Sequence, residues 1–262
     1  MKFLDFSIQC SGVRAGNAAR RKMSNTEHRT LNSHPPTRPF VLVNMAMTAD
    51  GKIATANRAV SSFGSARDHA HLLELRATAD AVMCGARTAD LNAINLGPGP
   101  ARFRRARVRR GLAEYNLRVV VTGSGSINPR AEVFRHRFSP IIILTTARAG
   151  KARRQRLQTL ADEVRVCGDH EIDFAAALRW LRRERAVRRL VCEGGGELND
   201  ALFRAGLVDE LHVTVCPKIF GGRGAPTIAD GRGLVTLANA APLKLHALRR
   251  VADELFLVFK RR

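Results

Sequence analysis

The stretch "RLVCEGGGELNDALFRAG" (189–206) decides the fold, because it passes from a strand through a glycine turn into a helix. The apolar run that ends at Glu193 has the length of a buried strand. Three glycines, which permit a sharp turn close to a ligand, follow at 194–196. Apolar residues then recur at helical spacing, at Leu198, Ala201, Leu202 and Ala205. A strand that leads directly into an amphipathic helix is typical of a parallel α/β sheet.

The same alternation continues along the chain. Further apolar runs of strand length lie at 40–47, 81–85, 117–122, 140–146, 163–167 and 210–216. Helical patterns lie between several of them, at 66–77, 148–161, 173–185 and 197–206. The last two apolar runs, 243–250 and 254–260, are joined by a tight turn. The pattern predicts an α/β fold in which helices flank a mostly parallel central sheet with a C-terminal antiparallel hairpin.

The N-terminal segment differs in composition from the rest of the chain. Residues 1–37 are rich in polar residues and carry no apolar periodicity, so we expect a disordered N-terminal tail there and one domain over 38–262.

No apolar run approaches the roughly 20 residues that cross a bilayer, and no signal-peptide core is present. The five cysteines form no CxxC pair. We therefore expect a cytoplasmic protein with reduced cysteines, no membrane contact and no metal site.

The formal net charge of +21 is the largest compositional signal. Nucleic-acid binding is one interpretation, since clustered arginine and lysine neutralise phosphates. Aromatic residues make up only 5% and do not alternate with the basic residues, as a single-strand stacking surface would require. A solvated arginine-rich surface, or a positive field that attracts a phosphorylated small substrate, is therefore favoured over a nucleic-acid partner.

Two segments have the composition of a ligand site at the carboxyl ends of strands, where parallel sheets bind ligands. At the glycine turn, free amides at the helix start attract phosphate, and Glu193 at the strand end needs a partner. The alternative is a tight turn without a ligand. In "TADGKIAT" (48–55), a turn at Asp50 and Gly51 projects Lys52 beside the first strand end, although a plain turn is the commoner meaning of this pattern.

Three motifs carry a resemblance to a known family. "VNMAMTADGKIA" near the start, "LRATADAVMCGARTADLNAINL" (75–96) and "CEGGGELNDALFRAGLVDELHVTVCPKIFGG" (192–222) occur in the family's order. Together they resemble the reductase domain of the bacterial riboflavin-biosynthesis deaminase-reductases and its free-standing relatives, over nearly all of residues 38–262. Nothing resembles the HxE and PCxxC zinc signature of the deaminase half.

The resemblance implies a dihydrofolate-reductase-like fold, NADPH as hydride donor, a phosphorylated ribosylaminopyrimidine as substrate and a homodimer. It assigns cofactor contacts to Ala46, Thr88, Gly123, Ser124, Gly194, Gly195, Gly196, Glu197 and Leu198. It assigns contacts with the substrate phosphate to Arg76 and to a serine at Ser61 or Ser62, and a position in the wall of the substrate site to Leu96. The catalytic group would comprise Lys52, Glu193 and Asn92. Hydride transfer needs positioning and a means of opening or protonating the sugar, and no protein nucleophile.

Two departures from the family pattern keep alternatives open. The family usually has Asp where this chain has Asn92, and an amide cannot act as a general acid. If the family's Asp shuttles a proton, Asp90 or water must replace it here. The second substrate-phosphate arginine is delayed to Arg102 or beyond, which makes the basic segment 97–116 either a phosphate-binding loop or, as the favoured interpretation, a solvated segment. The alternatives are a reductase of this fold acting on another heterocycle, such as a pterin, and a basic nucleic-acid-binding protein.

Overall fold

The central feature of the fold is a sheet of nine strands, seen in a computed structural model that describes residues 36–58 and 63–262. The strands are β1 (Phe40–Thr48), β2 (Ala81–Gly85), β3 (Leu117–Val121), β4 (Ile141–Thr145), β5 (Glu163–Val166), β6 (Arg189–Cys192), β7 (Glu210–Cys216), β8 (Leu243–Val251) and β9 (Glu254–Arg261). Their spatial order is β5-β4-β3-β2-β6-β1-β7-β9-β8. The first seven are parallel, whereas β9 pairs antiparallel with both β7 and β8.

Helices cover both faces of this sheet. They are α1 (Ala66–Arg76), α2 (Ala86–Leu91), α3 (Ala101–Arg109), α4 (Glu132–Arg135), α5 (Gly150–Gln158), α6 (Phe174–Glu184) and α7 (Gly196–Arg204). Side chains cap two of the long ones, because Ser65 accepts hydrogen bonds from the first turn of α1 and Asp173 from that of α6. Among the described residues, no helix is long and apolar enough to cross a membrane.

Strand β1 lies between β6 and β7 and divides its side chains between two layers. Val41, Val43 and Met45 belong to the larger core cluster, which includes the apolar faces of α6 and α7. Leu42, in a smaller cluster with Leu75 of α1, lies on the opposite face. Asn44 follows on that opposite face by strand alternation. A polar side chain of the central strand is therefore placed between the sheet and α1.

The predicted mostly parallel sheet, its flanking helices and the C-terminal hairpin are confirmed. The predicted tail falls on residues that the structure does not describe, apart from Pro36 and Thr37. The basic segment 97–116 differs from the favoured expectation of a solvated segment. It contains α3, whose Phe103 and Arg107 are buried.

Arg107 explains how a strongly basic segment can pack. Its Nη1 donates to the backbone oxygens of Arg76 and Ala79, at 2.7 and 2.5 Å, and its Nε donates to that of Ala113 at 2.9 Å. Burial lowers the pKa of the Arg107 guanidinium, and the carbonyl acceptors meet its hydrogen-bonding needs. The segment is thereby attached to the end of α1, next to Arg76.

Candidate functional site

A cavity of about 850 Å³ opens at the carboxyl ends of the central strands. Its lining includes ten of the residues assigned to the site from the sequence, namely Ala46, Thr88, Asn92, Gly123, Ser124, Glu193, Gly195, Gly196, Glu197 and Leu198. These residues lie within or after four different strands, β1, β2, β3 and β6. Parallel packing therefore brings together residues that are up to about 150 positions apart in the sequence.

Four assigned residues do not line the cavity, namely Lys52, Arg76, Leu96 and Gly194. Leu96 is fully buried, and its backbone has a φ of +58°. Ser61 and Ser62 lie outside the described residues.

Glu193 has the partner that its position requires. Arg76 donates to both of its carboxylate oxygens, from Nε at 2.5 Å and from Nη2 at 2.6 Å. The third guanidinium nitrogen, Nη1, donates to the backbone oxygen of Gly97 at 2.6 Å. The side chains of Arg76 and Glu193 are 7% and 9% exposed, so the pair is nearly removed from water. The structure thus places Arg76 behind Glu193, with its nitrogens engaged, and not on the cavity wall.

The glycine turn is packed tightly against the rest of the site. Gly194 and Gly195 have φ values of +68° and +66°, which side chains rarely adopt. The Gly194 oxygen accepts from the backbone N–H of Gly85 at 2.9 Å and from the Thr88 hydroxyl at 3.2 Å. A Cβ atom on Gly194 would lie 2.7 Å from the Met45 sulfur, so this glycine leaves room for the protein itself. A Cβ on Gly195 would meet one neighbour, the Thr88 hydroxyl, at 3.0 Å.

The start of α7 offers free donors to the cavity. Its N-cap is Gly195, which has no side chain to bond the first amides, and Glu197 is held away by an exposed ion pair with Arg87. Unsatisfied N–H groups at a helix start favour an anionic ligand. The assigned residues at this turn therefore fit the diphosphate of a dinucleotide.

Lys52 is turned towards a neighbouring loop. Its Nζ donates to the Ala225 oxygen at 3.2 Å, and its backbone forms a bridge with Thr227. The preceding Asp50 accepts from the backbone N–H of Gly221 at 2.8 Å and from the Thr48 hydroxyl at 2.5 Å. The Thr48 hydroxyl, followed by these backbone donors, lowers the pKa of Asp50. The "ADGK" segment therefore anchors the 218–227 loop at the rim of the cavity.

Asn92 lines the cavity but is held by its own helix. Its Nδ2 donates to the Thr88 oxygen at 2.8 Å, and Asp90, two residues earlier, accepts from the backbone N–H of Asn128 at 2.9 Å. In the part of the chain that the structure describes, neither side chain forms a hydrogen bond with Glu193. An amide carries no acidic proton, so Asn92 cannot act as a proton donor.

Asn44 was missed in the sequence analysis. It lines the cavity and is 9% exposed, and its Oδ1 has no hydrogen-bond partner among the described residues. An unsatisfied buried amide oxygen is costly, so a ligand donor is its natural partner. Register places Asn44 level with His212 and one step beyond the Val43–Cys192 pair, beside Glu193. The available signal was a lone polar residue inside the apolar run "FVLVNMAM".

The opposite end of the cavity carries an unpaired cation. Arg148 lines it beside Gly123, where a Cβ on the glycine would lie 3.6 Å from the arginine Nη2. Within residues 36–58 and 63–262, Arg148 forms no ion pair. The turn that follows β3 is itself fixed, because Arg153 donates to the Ser124 oxygen at 3.0 Å.

The cysteines near the site are not poised as nucleophiles. Burial raises the pKa of Cys192 to about 12 and raises that of Cys84 well above its usual range. A thiol that stays protonated is a poor nucleophile, which agrees with chemistry that relies on positioning.

Comparison with known proteins gives the family. The family model for the RibD C-terminal domain matches residues 39–257. The chain belongs to this family. It is 34% identical over 222 residues to a protein of Methanothermobacter thermautotrophicus named 2,5-diamino-6-ribosylamino-4(3H)-pyrimidinone 5′-phosphate reductase, covering 85% of this chain and 98% of the relative. A protein of the same name from Aquifex aeolicus is 29% identical over 214 residues, covering 80% and 91%. The resemblance stated from the motifs is confirmed.

Solved structures confirm the fold of this RibD-type reductase domain. RibD of Acinetobacter baumannii superimposes with a TM-score of 0.68 at 18% identity, covering 86% of this chain and 58% of the other. A pyrimidine reductase-like protein of Corynebacterium diphtheriae gives a TM-score of 0.69 at 21% identity, covering 86% and 92%. The expected dihydrofolate-reductase-like architecture is therefore the one observed.

Proposed function

We propose that residues 38–262 form an NADPH-dependent reductase that converts the ribosyl group of 2,5-diamino-6-ribosylamino-4(3H)-pyrimidinone 5′-phosphate, or of its deaminated uracil form, into a ribityl chain. The observation that carries this proposal is the polar floor of the cavity. There the Arg76–Glu193 pair and the unsatisfied Asn44 lie beside the glycine turn. The names of the relatives support the same substrate class.

The residues of the cavity fit a reduced nicotinamide dinucleotide. Free amides at the start of α7 suit the diphosphate, and Ala46 lines the floor of the cavity. When bound, this group supplies the hydride for the reaction. The cavity volume of about 850 Å³ is within the usual range for ligand sites.

The residues of the chain orient the substrate and its charge. Glu193, fixed in one orientation by Arg76, faces the site as a preorganised acceptor that stabilises positive charge developing at the sugar. The Asn44 amide accepts from a hydroxyl or ring N–H of the substrate. Arg58, which lines the cavity and forms no ion pair within the described ranges, takes the substrate phosphate, because the nitrogens of Arg76 are engaged.

Arg148 is proposed to select NADPH over NADH through the 2′-phosphate. Replacing it with Ala is expected to lower kcat/KM with NADPH about 10-fold or more, as loss of a charge-assisted hydrogen bond would, while kcat/KM with NADH stays unchanged. Arg156→Ala, on the exposed side of α5, is the matched control and should leave both values unchanged. Equal loss with the two cofactors would contradict this role of Arg148.

We also propose a homodimer and a cytoplasmic location. Strand β8 is the edge of the sheet, and it exposes Leu245 and Leu248, which favours pairing with a second copy of the chain. Light scattering should give the mass of two chains.

The four cysteines of the described residues are free and buried, which suits a reducing compartment.

A direct assay tests the proposed function. Purified protein mixed with NADPH and the phosphoribosylaminopyrimidine should lose absorbance at the reduced-nicotinamide band, and mass spectrometry should find the ribityl product. Absence of both with either form of the pyrimidine would reject the proposed substrate and leave the fold unaffected.

A further inference from the structure

Helix α1 lies over the polar floor of the cavity and meets the sheet in three polar pairs. The pairs are Arg76 with Glu193, His71 with His212, and Asp68 with Thr214. The proposed reduction uses only the first. Asp68 is different from the histidines because it lines the cavity, next to Leu72 and Gly64.

Strand register gives the place of Asp68 in the site. Its hydrogen-bond partner Thr214 lies level with Ala46 on the neighbouring strand. Adjacent strands are about 4.8 Å apart, so the Asp68 carboxyl group lies close to the floor residue that the resemblance assigns to the nicotinamide. Glu193 approaches from the strand on the other side of β1. Two carboxyl groups therefore face the cavity from opposite sides of Asn44 and Ala46.

The two carboxyl groups have contrasting surroundings. Glu193 accepts two hydrogen bonds from a guanidinium, an arrangement that suits an ion pair. Burial has the largest effect on the pKa of Asp68 and raises it. The Thr214 hydroxyl lowers this pKa, the nearby Glu254 charge raises it by less, and His69 has the smallest, lowering effect. One active site often contains two carboxyl groups in such different surroundings, one acting as an acid and the other as its charged counterpart.

Other carboxyl groups of the cavity are already engaged. Arginine side chains pair with Glu171, Glu193, Glu197 and Asp200. Backbone N–H groups donate to Asp90 and Asp230. Asp68 forms no ion pair within residues 36–58 and 63–262, so it is the carboxyl group best suited to carry a proton.

We propose that Asp68 is the proton donor that opens the sugar ring of the substrate, an assignment that rests on the proposed reductase function. The Asp68 carboxyl gives its proton to the furanose ring oxygen as the C1′–O4′ bond breaks. The lone pair of the exocyclic nitrogen forms the C1′=N bond, which leaves a cationic iminium that Glu193 stabilises. C1′ of this iminium is the position to which a bound reduced nicotinamide would supply hydride. The product is a secondary amine with a free 4′-hydroxyl, and water returns a proton to Asp68.

The groups that surround Asp68 set the pH dependence. Within the described residues, the titratable and polar groups that face it are His69 and Ser65 of its own helix region, Thr214 and Cys216 of β7, and Glu254 of β9. Because the donor must be protonated, kcat/KM is expected to decline as pH rises through the pKa of Asp68. The Thr214 hydroxyl lowers that pKa, so its removal moves the decline to higher pH.

Asp68→Asn tests the assignment, because the amide keeps the shape and the bond from Thr214 but carries no acidic proton. We expect kcat to fall about 100-fold or more, with the Kd for NADPH unchanged and the decline of kcat/KM at high pH abolished. Thr214→Val should shift the decline of kcat/KM to higher pH. If Asp68 had only a structural role, replacing it would leave the pH dependence of kcat/KM unchanged.

The result that overturns the assignment is an Asp68→Asn enzyme that keeps wild-type kcat and the wild-type pH profile. Circular dichroism and NADPH titration show whether each variant folds. If Asp68→Asn does not fold, the pH dependence of kcat/KM of Thr214→Val tests the assignment instead. A wild-type enzyme that does not reduce the pyrimidine would instead reject the proposed function. The two failures are therefore distinguishable.

Discussion

Glu193→Gln is expected to lower kcat at least 100-fold, the loss typical of removing a preorganised electrostatic group. The substitution removes the negative charge at the proposed place of the sugar and leaves the Arg76 guanidinium buried without a counter-charge. Breaking a buried pair on one side costs about 3–5 kcal/mol of stability, so the unfolding midpoint should fall as well. The Kd for NADPH should stay close to that of the wild type, because the proposed place of the dinucleotide phosphates is the glycine turn. Steady-state kinetics, denaturant unfolding and fluorescence titration measure the three effects.

A double variant separates stability from chemistry. Arg76→Gln together with Glu193→Gln removes both charges, so stability should recover relative to the single variant while activity does not. Glu114→Gln is the matched control, because it breaks an exposed pair with Arg104 outside the cavity. Its effect should be about 0–1 kcal/mol. Recovery of activity in the double variant would contradict the electrostatic role of Glu193.

Gly195→Leu is expected to weaken NADPH binding about 100-fold or more, which corresponds to roughly 2.7 kcal/mol. The backbone at Gly195 has a φ of +66° and lines the cavity, and a Cβ there would lie 3.0 Å from the Thr88 hydroxyl. The rest of the leucine side chain would occupy the place proposed for the diphosphate. Titration of the intrinsic or cofactor fluorescence measures the Kd.

A matched glycine separates this effect from backbone strain. Gly111 has a φ of +71°, a Cβ on it would have no described atom within 4 Å, and it does not line the cavity. Gly111→Leu should therefore cost a similar amount of stability, about 1–2 kcal/mol, and leave NADPH binding unchanged. Similar binding losses in both variants would mean that strain, and not occupancy of the cavity, is responsible.

The sheet could be predicted from the sequence because its signals are local. Each predicted strand is an apolar run of the right length, and the hairpin at 243–261 follows from a short turn between two alternating segments. Helix α3 could not be predicted in the same way. Its buried side consists of Phe103 and an arginine whose acceptors, on Arg76 and Ala79, lie some 30 positions away. A basic segment is expected to be exposed unless such distant acceptors are known.

The site was predicted in outline for a similar reason. Residues at strand ends, such as Gly195 and Ala46, are brought together by the topology of any parallel sheet. The pair of Arg76 with Glu193 depends on the packing of α1 across the sheet, which no local pattern encodes. The resemblance identified both residues as important but assigned Arg76 to the substrate phosphate. That role of Arg76 stays a prediction, and the geometry favours Arg58 for it.

The most direct test of the reductase function is transfer of deuterium from C4-deuterated NADPH to the substrate. Wild-type protein, incubated with this cofactor and the phosphoribosylaminopyrimidine, should place one deuterium at C1′ of the ribityl product, as detected by NMR. Oxidation of NADPH without deuterium in the pyrimidine product, or no reaction with either form of the pyrimidine, would contradict it.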